Sequence, residues 1–358
     1  MFRSIAKKRI VLFVCFMFSA VLLRSAPAEA DDLKLKTAME QYRGRYRILY
    51  ETYRTNNFEI FVMDPDGSNR KNLTNTPDVH EFYPQASPDG KKICFMAYQG
   101  EGRGRVRCLY LMNSDGSGRE KIVENGRWPC WSPDGSKIAF LRDYLFRFTI
   151  KDYVTKGLYF YDVKTGAITE HPNKKIKHLY NINWHPGGKW IVAVAHGGMG
   201  FGHAIIALET EGLNVSKRLS GGCRPSFNPV GDKITWCEQD WAIAVANIEI
   251  SDRQFAHKGT RRIVETEDHE GMYTYHPDFS PDGRFILFSR GPVGPDNPVD
   301  AKSPGSTKAH HAIIGVKADK WDICVVSSNG GPWIKLTTDG NSNKEPEWIK
   351  VLDEPGKE

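Results

Sequence analysis

Histidine is the residue whose placement along this chain most suggests chemistry. His80 and His269 are each followed by a glutamate, Glu81 and Glu270, and a His-His pair stands at 310–311. Imidazoles that converge on one point can bind Mn²⁺ or Zn²⁺, and a nearby carboxylate or imidazole can act as a base. The candidate metal ligands are therefore His80, His269 and His311, and the candidate bases are Glu81 and Glu270.

A signature that recurs six times predicts the elements that must position these side chains. It reads YPQASPDG, WPCWSPDG, NINWHPGG, RPSFNPVG, HPDFSPDG and, truncated, EPEWIK, starting at residues 83, 128, 181, 224, 276 and 345. Successive turns are 43 to 53 residues apart. Proline presets φ for a turn and glycine supplies a positive φ, so each signature closes a hairpin between antiparallel strands.

A repeat of this length with apolar strands is typical of a β-propeller. Residues 46–74 supply three strands without a preceding signature, and residues 345–352 supply a signature strand with nothing after it. Joined, the two ends make one complete blade and remove the open sheet edge. We therefore expect an all-β, six-bladed propeller of four-stranded antiparallel blades over residues 46–352, closed by its N- and C-terminal strands.

The first thirty residues have the pattern of a secretory leader. A basic start precedes an apolar stretch at 10–23 and a small-x-small end, Ala28-Glu29-Ala30. The apolar stretch is short for a membrane span. We expect cleavage after Ala30, a lead-in at 31–45, a tail at 353–358, and a periplasmic or secreted protein without stable membrane insertion.

Charge and cysteine content limit the class of partner. Loss of the leader removes five basic residues and one acidic residue, which takes the formal charge from +6 to +2. A nearly neutral chain argues against binding to nucleic acid or to an anionic membrane. Six cysteines remain, and they are either disulfide-bonded, with Cys94 and Cys108 flanking one hairpin, or buried free thiols.

The repeats resemble the TolB-type β-propeller family, whose blades read P-x-W-S-P-D-G-K-x-I-A-F, then an I-Y-x-M-D strand and a closing L-T. The matching segments are FEIFVMDPDGSNRKNLT (58–74), WSPDGSKIAFL (131–141) and FSPDGRFILFS (279–289). The resemblance covers nearly the whole chain after the leader and implies the fold. Residues 31–45 are too few for the helical N-terminal domain of TolB proteins, so the resemblance does not imply a role in the Tol system.

Antiparallel order sorts the loops of a propeller onto two faces. Loops between blades and loops between the second and third strands of a blade open on one face, and the Pro-Asp-Gly turns lie on the other. Seven of the eleven histidines then share one rim: His80, His178, His196, His203, His269, His310 and His311. An insertion at 291–320 opens on the same rim and is predicted to be a functional lid or a disordered segment.

The first functional hypothesis is a binding platform for a protein or a glycan, which requires no cofactor. Propellers serve mainly as rigid supports, and the rim offers exposed aromatic residues beside the histidines. These aromatic candidates are Trp241 and Tyr273, with Tyr144 and Phe201 in neighbouring loops.

The alternative hypothesis is a metal-dependent polysaccharide lyase or hydrolase with its site in the central funnel. The segments DVHEFYPQASPDG and EDHEGMYTYHPDFSPDG resemble the histidine-bearing loops of oligogalacturonate lyase propellers. That resemblance implies a cation that acidifies the α-proton of a uronate, and Arg224 or Arg290 would neutralise its carboxylate. Each rim histidine also has a structural interpretation, so both readings stay open. His276, in the signature position of Arg224, is interpreted as a packing residue.

Overall fold

The computed structural model describes residues 26–54, 57–100, 106–143, 155–251, 254–265, 271–292 and 320–352. Within them, six small antiparallel sheets form a six-bladed β-propeller, which confirms the predicted fold class. Within the same residues, no helix is both long enough and apolar enough to cross a membrane.

The strands of each blade are counted outward from the central channel; five sheets have four strands and the sheet of blade four has three. One helix, α1 (Ala26–Glu40), precedes them. The strands before the second signature are β1 (Tyr46–Arg54), β2 (Asn57–Met63), β3 (Lys71–Asn72), β4 (Glu81–Ala86), β5 (Lys92–Gln99), β6 (Val106–Asn113) and β7 (Glu120–Glu124). Blades three and four contain β8 (Gly126–Trp131), β9 (Lys137–Asp143), β10 (Thr155–Asp162), β11 (Ile168–Glu170), β12 (Leu179–Trp184), β13 (Trp190–His196) and β14 (His203–Glu209). Blades five and six contain β15 (Cys223–Phe227), β16 (Lys233–Glu238), β17 (Ala242–Ile250), β18 (Phe255–Glu265), β19 (Met272–Phe279), β20 (Phe285–Pro292), β21 (Asp322–Ser327) and β22 (Trp333–Lys335), and the chain ends on β23 (Ser342–Lys350).

The ring closes as the two ends of the sequence predict. β23 is the inner strand of blade one, where it pairs with β1 from Tyr46 opposite Lys350 to Tyr53 opposite Ser342. Blade four has three regular strands, and its outer edge continues only as isolated bridges at Ser220 and Val215. The apolar core lies between adjacent sheets, because each blade must bury both of its faces against neighbours.

The signature turn is held by its own side chains. In blade two, Ser87 Oγ donates to Asp89 Oδ1 at 2.7 Å and accepts from Lys92 N at 2.9 Å. Gly90 has a φ of 76°, and a Cβ there would lie 2.4 Å from the carbonyl oxygen of Lys350 in blade one. Glycine is therefore required both by the turn and by the close approach of the neighbouring blade.

Two faces are defined by these connections. We call the face with the inter-blade loops 74–80 and 171–178 and the hairpin loop 197–202 the loop face. We call the face with the signature turns at 87–90, 132–135 and 280–283 the turn face.

Helix α1 and the turn after it pack on blades six and one. Leu35, Met39 and Tyr42 are buried beside Ile334 and Trp348. The helix begins at Ala26 and runs through the predicted cleavage point after Ala30, and all three packing residues follow that point. Cleavage itself stays a prediction.

All six cysteines in the described residues are free thiols. Cys94 lies opposite Leu111, whereas Cys108 lies opposite Ala97, so the two cysteines that flank this hairpin do not face each other. The free-thiol alternative is the one the structure adopts.

Candidate functional site

Three of the predicted rim histidines meet on the loop face of blade four. The Nδ1 atoms of His196 and His203 are 3.0 Å apart, and the main-chain N of His196 donates to the carbonyl of His178 at 3.0 Å. His203 Nε2 lies 3.1 Å from the carbonyl oxygen of Gly222, and His178 Nδ1 lies 3.2 Å from that of Gly197. We call His178, His196 and His203 the histidine cluster.

These contacts assign the protons of the cluster. His203 Nε2 must donate to the Gly222 carbonyl, so its Nδ1 accepts from the Nδ1–H of His196. Burial lowers the pKa of His196, and the charges that His203 and His178 acquire on protonation lower it further. The pKa of His196 is therefore below its ordinary value, and both ring nitrogens of His203 are occupied by hydrogen bonds.

A glycine-rich hairpin loop, HGGMGFG, holds the cluster in place. A Cβ on Gly198 would lie 2.4 Å from the Lys177 carbonyl oxygen and 2.7 Å from His178 Cβ. Only glycine lets this loop lie directly on the inter-blade loop that carries His178. Met199 and Phe201 from the same loop pack against the core of the blade.

The other described rim candidates lie in separate places. His80 Nδ1 accepts from the main-chain N of Phe58 at 3.2 Å, between blades one and two. Trp241 and Tyr273 are half-buried near Asp240, at the junction of blades five and six. The arrangement presents aromatic surface there, as the binding hypothesis requires, but apart from the histidine cluster.

Two candidates are buried in structural pairs. Glu81 is fully buried, forms an ion pair with Arg119 and accepts from Thr76 Oγ1 at 2.7 Å. Burial nevertheless raises the pKa of Glu81. Arg290 is 9% exposed, and its guanidinium lies 5.0 Å from the ring centre of Trp333.

The remaining candidates, His269, Glu270, His310 and His311, lie outside the described residues, as does Tyr144. Within the described residues, no group of three histidine, cysteine or acidic side chains is arranged to hold a metal ion. The predicted set of His80, His269 and His311 includes two undescribed members, so the Mn²⁺ or Zn²⁺ site stays a prediction.

Arg224 belongs to a different arrangement, a ring of six side chains across the central channel. One residue of each inner strand, directly before the proline or isoleucine of the signature, has a left-handed backbone with φ between 46° and 57°: Tyr83, Trp128, Asn181, Arg224, His276 and Glu345. At each of them the register with the second strand shifts. Such bulges free the inner strand from ladder pairing, so proline is tolerated there. We call these six residues the axial layer.

Direct contacts join the axial layer from blade to blade. Arg224 Nη1 lies 2.5 Å from Glu345 Oε1, and His276 Nε2 lies 3.1 Å from the same oxygen. The Arg224 guanidinium also lies 4.6 Å from the Trp128 ring centre, which is 4.0 Å from that of Tyr83.

Asn181 completes the layer. With its amide turned so that the oxygen faces the guanidinium, it accepts from Arg224 Nη1 at 2.8 Å and from Nε at 3.1 Å. A left-handed backbone costs a non-glycine residue of order 1 kcal/mol, and it persists where surrounding contacts fix it. The contacts within the axial layer fix these six backbones in this way.

Buried charges surround this layer. Burial alone would raise the pKa of Glu345, but Arg224 and His276 hold it below its ordinary value. Burial lowers the pKa of His276 to about 4, so this imidazole is neutral at neutral pH. Glu51 accepts from Tyr83 N at 2.9 Å and lies opposite Lys344 in the β1–β23 register.

Glu51 and Lys344 are an acid and a base buried opposite each other. Burial, followed by the charge of Glu345, raises the pKa of Glu51 to about 8, and burial lowers that of Lys344 to about 8. Such a pair titrates as a unit.

A second layer lies two residues further along each inner strand. Ser226 Oγ donates to Asp278 Oδ1 at 2.8 Å, and the main-chain N of Ala86 donates to Glu347 Oε1 at 2.9 Å. Burial raises the pKa of Asp278 to about 6 and, together with Asp278, raises that of Glu347. The two layers together line a cavity of about 130 Å³. Small-molecule sites are usually about 300–1,000 Å³, so this cavity suits water rather than a sugar residue.

The sequence interpretation named Arg224 but missed its partner Glu345 and treated His276 as packing. The available signal was the position before the proline or isoleucine of the signature, which holds a large or polar side chain in every repeat. Because these side chains come from different blades, only the closed ring makes them neighbours.

No family model matches the chain. Dipeptidyl-peptidase 5 of Porphyromonas gingivalis is 27% identical over 263 residues, which are 68% of this chain and 35% of that protein. The Tol-Pal system protein TolB of Alcanivorax borkumensis is 32% identical over 102 residues, which are 26% of this chain and 22% of that protein. The chain thus matches about a third or less of the length of these curated relatives.

The crystal structure of TolB from Acinetobacter baumannii has a TM-score of 0.59 at 18% identity, over 91% of this chain and 73% of that one. The chain has the TolB-like β-propeller fold. An oligogalacturonate lyase in complex with manganese has a TM-score of 0.46 at 14% identity, over 67% and 70% of the two chains. That similarity is too low to support lyase activity for this TolB-like propeller.

Proposed function

We propose that the chain is an exported, non-catalytic TolB-like propeller that binds a protein partner on its loop face. The observation that carries this proposal is the axial layer. Its six contacting side chains leave a cavity of about 130 Å³ at the centre of the ring. Because a ligand of ordinary size does not fit there, binding would use the outer surface.

Blade four supplies the best-defined part of that surface. The histidine cluster is held in one orientation by three carbonyl or imidazole contacts, and the glycine-rich loop beside it presents Gly202 to solvent. Fixed side chains lose little entropy on binding, which favours recognition by a rigid platform.

Site-specific photo-crosslinking tests the proposal. A photoreactive residue at Gly202 would report on the loop face, and the same residue at Val230, which is 77% exposed on the turn face, is the matched control. In the intact cell envelope of the source cell, we expect a discrete protein adduct from position 202 that is absent from position 230. His203→Ala should remove the adduct. Equal adducts from both positions, or an adduct indifferent to His203→Ala, would refute the proposal.

Two other measurements distinguish the alternatives, a glycan ligand and lyase activity. Retention of the protein in gels that contain uronate polysaccharide, without a protein adduct at position 202, would favour a glycan-binding platform. Elemental analysis showing one Mn²⁺ or Zn²⁺ per chain, together with an ultraviolet-absorbing product from the same polysaccharide, would favour the lyase instead.

A further inference from the structure

A second surface lies on the turn face, between blades three and four. It is an open groove of about 530 Å³. Trp184 and Phe160 line it with ring centres 5.4 Å apart, and Asp134, Glu170 and Glu211 also line it. Trp184 is half-buried, whereas Trp348, its counterpart in blade one, is 8% exposed. The volume lies within the range of ligand sites.

The crevice between blades six and one shows what fits such a groove. There Tyr42, in the turn after α1, inserts its side chain: its hydroxyl donates to Asp282 at 2.7 and 2.8 Å, and its ring centre is 4.9 Å from that of Trp348. The next residue, Arg43, pairs with Asp66 at 3.0 Å. A tyrosine followed by an arginine is thus held by a signature aspartate, a signature tryptophan and an acidic residue of the neighbouring turn.

Strand register shows that the two places are equivalent. Asp134 and Asp282 are the third residues of their Ser-Pro-Asp-Gly turns, and Trp184 and Trp348 each stand three residues after an axial-layer residue. In blade four, Trp184 pairs with Ile191 and Ile191 with Leu208.

The same ladder in blade one runs from Trp348 through Ile48 to Met63. Counting three residues on from Leu208 and from Met63 makes Glu211 the counterpart of Asp66. Both sites therefore offer one aspartate, one indole and one further carboxylate in the same relative order.

The charge of the groove supports the same ligand. Hydrogen bonds from Ser132 and Ser136 lower the pKa of Asp134, so it is ionised at neutral pH. Lys137 is the single basic residue among those that line the groove. A basic residue beside the tyrosine would therefore meet complementary charge.

We propose that this groove docks a segment of a partner protein that presents a tyrosine followed by an arginine. The tyrosine ring would pack on Trp184 and its hydroxyl would donate to Asp134, while the arginine would pair with Glu211. The site lies on the turn face, so it is separate from the loop-face function proposed above and neither depends on the other.

A labelled peptide of residues 31–45, which carries Tyr42 and Arg43, is a suitable probe of this chemistry. We expect saturable binding to the full chain by fluorescence anisotropy, weakened by salt. Thr169→Arg, at an exposed edge position in the groove, should abolish binding by filling the groove and repelling the arginine. Circular dichroism and the melting temperature check that each variant folds.

A charge exchange makes the test specific. Glu211→Lys should weaken binding about fivefold, as expected for a part-exposed ion pair. A peptide with Arg43→Glu should recover that affinity on the Glu211→Lys chain. Glu120→Lys reverses the charge of an exposed residue in blade two. It is the matched control and should leave the affinity for the peptide unchanged.

Three outcomes would overturn the proposal. Binding that is unaffected by Thr169→Arg would place the peptide elsewhere, for example in the crevice of its own α1. Failure of the charge exchange to restore affinity would remove Glu211 from the site. Concentration-dependent dimers of the full chain that Thr169→Arg abolishes would assign the groove to a second copy rather than to a separate partner.

Discussion

Replacing Glu345 with glutamine tests whether the axial layer holds the ring together. Glu345 accepts from both Arg224 and His276, and the side chains of Arg224 and Glu345 are 9% and 15% exposed. The substitution keeps the shape of the side chain but leaves the guanidinium of Arg224 without a counter-charge in a buried setting. Removing one partner of a buried ion pair typically costs about 3–5 kcal/mol.

That loss is large compared with the total stability of a domain, which is about 5–15 kcal/mol. With a urea m-value of about 3 kcal/mol/M for a chain of this size, the unfolding midpoint should fall by about 1–1.7 M. Adding Arg224→Met removes the stranded charge, so the double variant should be more stable than Glu345→Gln alone by about 2 kcal/mol.

Urea unfolding followed by circular dichroism and tryptophan fluorescence measures these changes. The matched control is Glu347→Gln, in the layer beside the axial layer. Because burial already raises the pKa of Glu347 well above its ordinary value, its neutral amide should change stability by less than about 1 kcal/mol. Two results would refute an electrostatic role for the axial layer. One is a Glu345→Gln variant that is as stable as Glu347→Gln. The other is a double variant whose free energy of unfolding is no higher than that of Glu345→Gln alone.

Three further predictions concern single side chains. The pKa of His276 is about 4 when folded and about 6.5 when unfolded, so its contribution is fully present above pH 6.5 and is lost as the pH falls to 4. The stability advantage of wild type over His276→Gln should therefore shrink by about 3 kcal/mol between pH 7 and pH 4 in urea titrations, and a constant difference would contradict the burial. Tyr42→Phe removes a hydrogen bond to the carboxylate of Asp282 and should cost about 1.5–3 kcal/mol in the same assay, whereas an unchanged midpoint would mean that α1 is not docked there. Gly198→Ala should displace the 197–202 loop and shift the NMR signals of the His196 ring, and unshifted signals would contradict the close approach to Lys177.

Local chemistry explains why the strands and turns were predictable. Each Ser-Pro-Asp-Gly turn is formed by residues within five positions of one another, so its hydrogen bonds are encoded in a short segment. The composite blade was also predictable, because an unpaired signature strand at one end and three strands without a signature at the other can complete only each other. The strands β9, β16 and β20 each begin two residues after the glycine of the signature turn.

The contact partners of individual side chains were harder to predict from the sequence. The rim rule placed His178, His196 and His203 on one face, but the rule could not show that these three meet. They meet because two lie at the ends of one hairpin and the third lies on the adjacent inter-blade loop. Glu81 was predicted as a candidate base, but in the structure it is buried in an ion pair with Arg119.

The sequence alone determined the number of blades, the turn chemistry and the way the ring closes, since each of these follows from the repeat and from apolar strands that need neighbours on both faces. Only the tertiary structure decided that Arg224, His276 and Glu345 share one buried layer. These residues are up to 121 positions apart and become neighbours only when the ring is complete. It also decided that Tyr42 fills one crevice between blades while the equivalent groove at Trp184 stays open to a ligand. The physical reason is packing between blades, because the environment of a side chain depends on which residues of the neighbouring blade contact it.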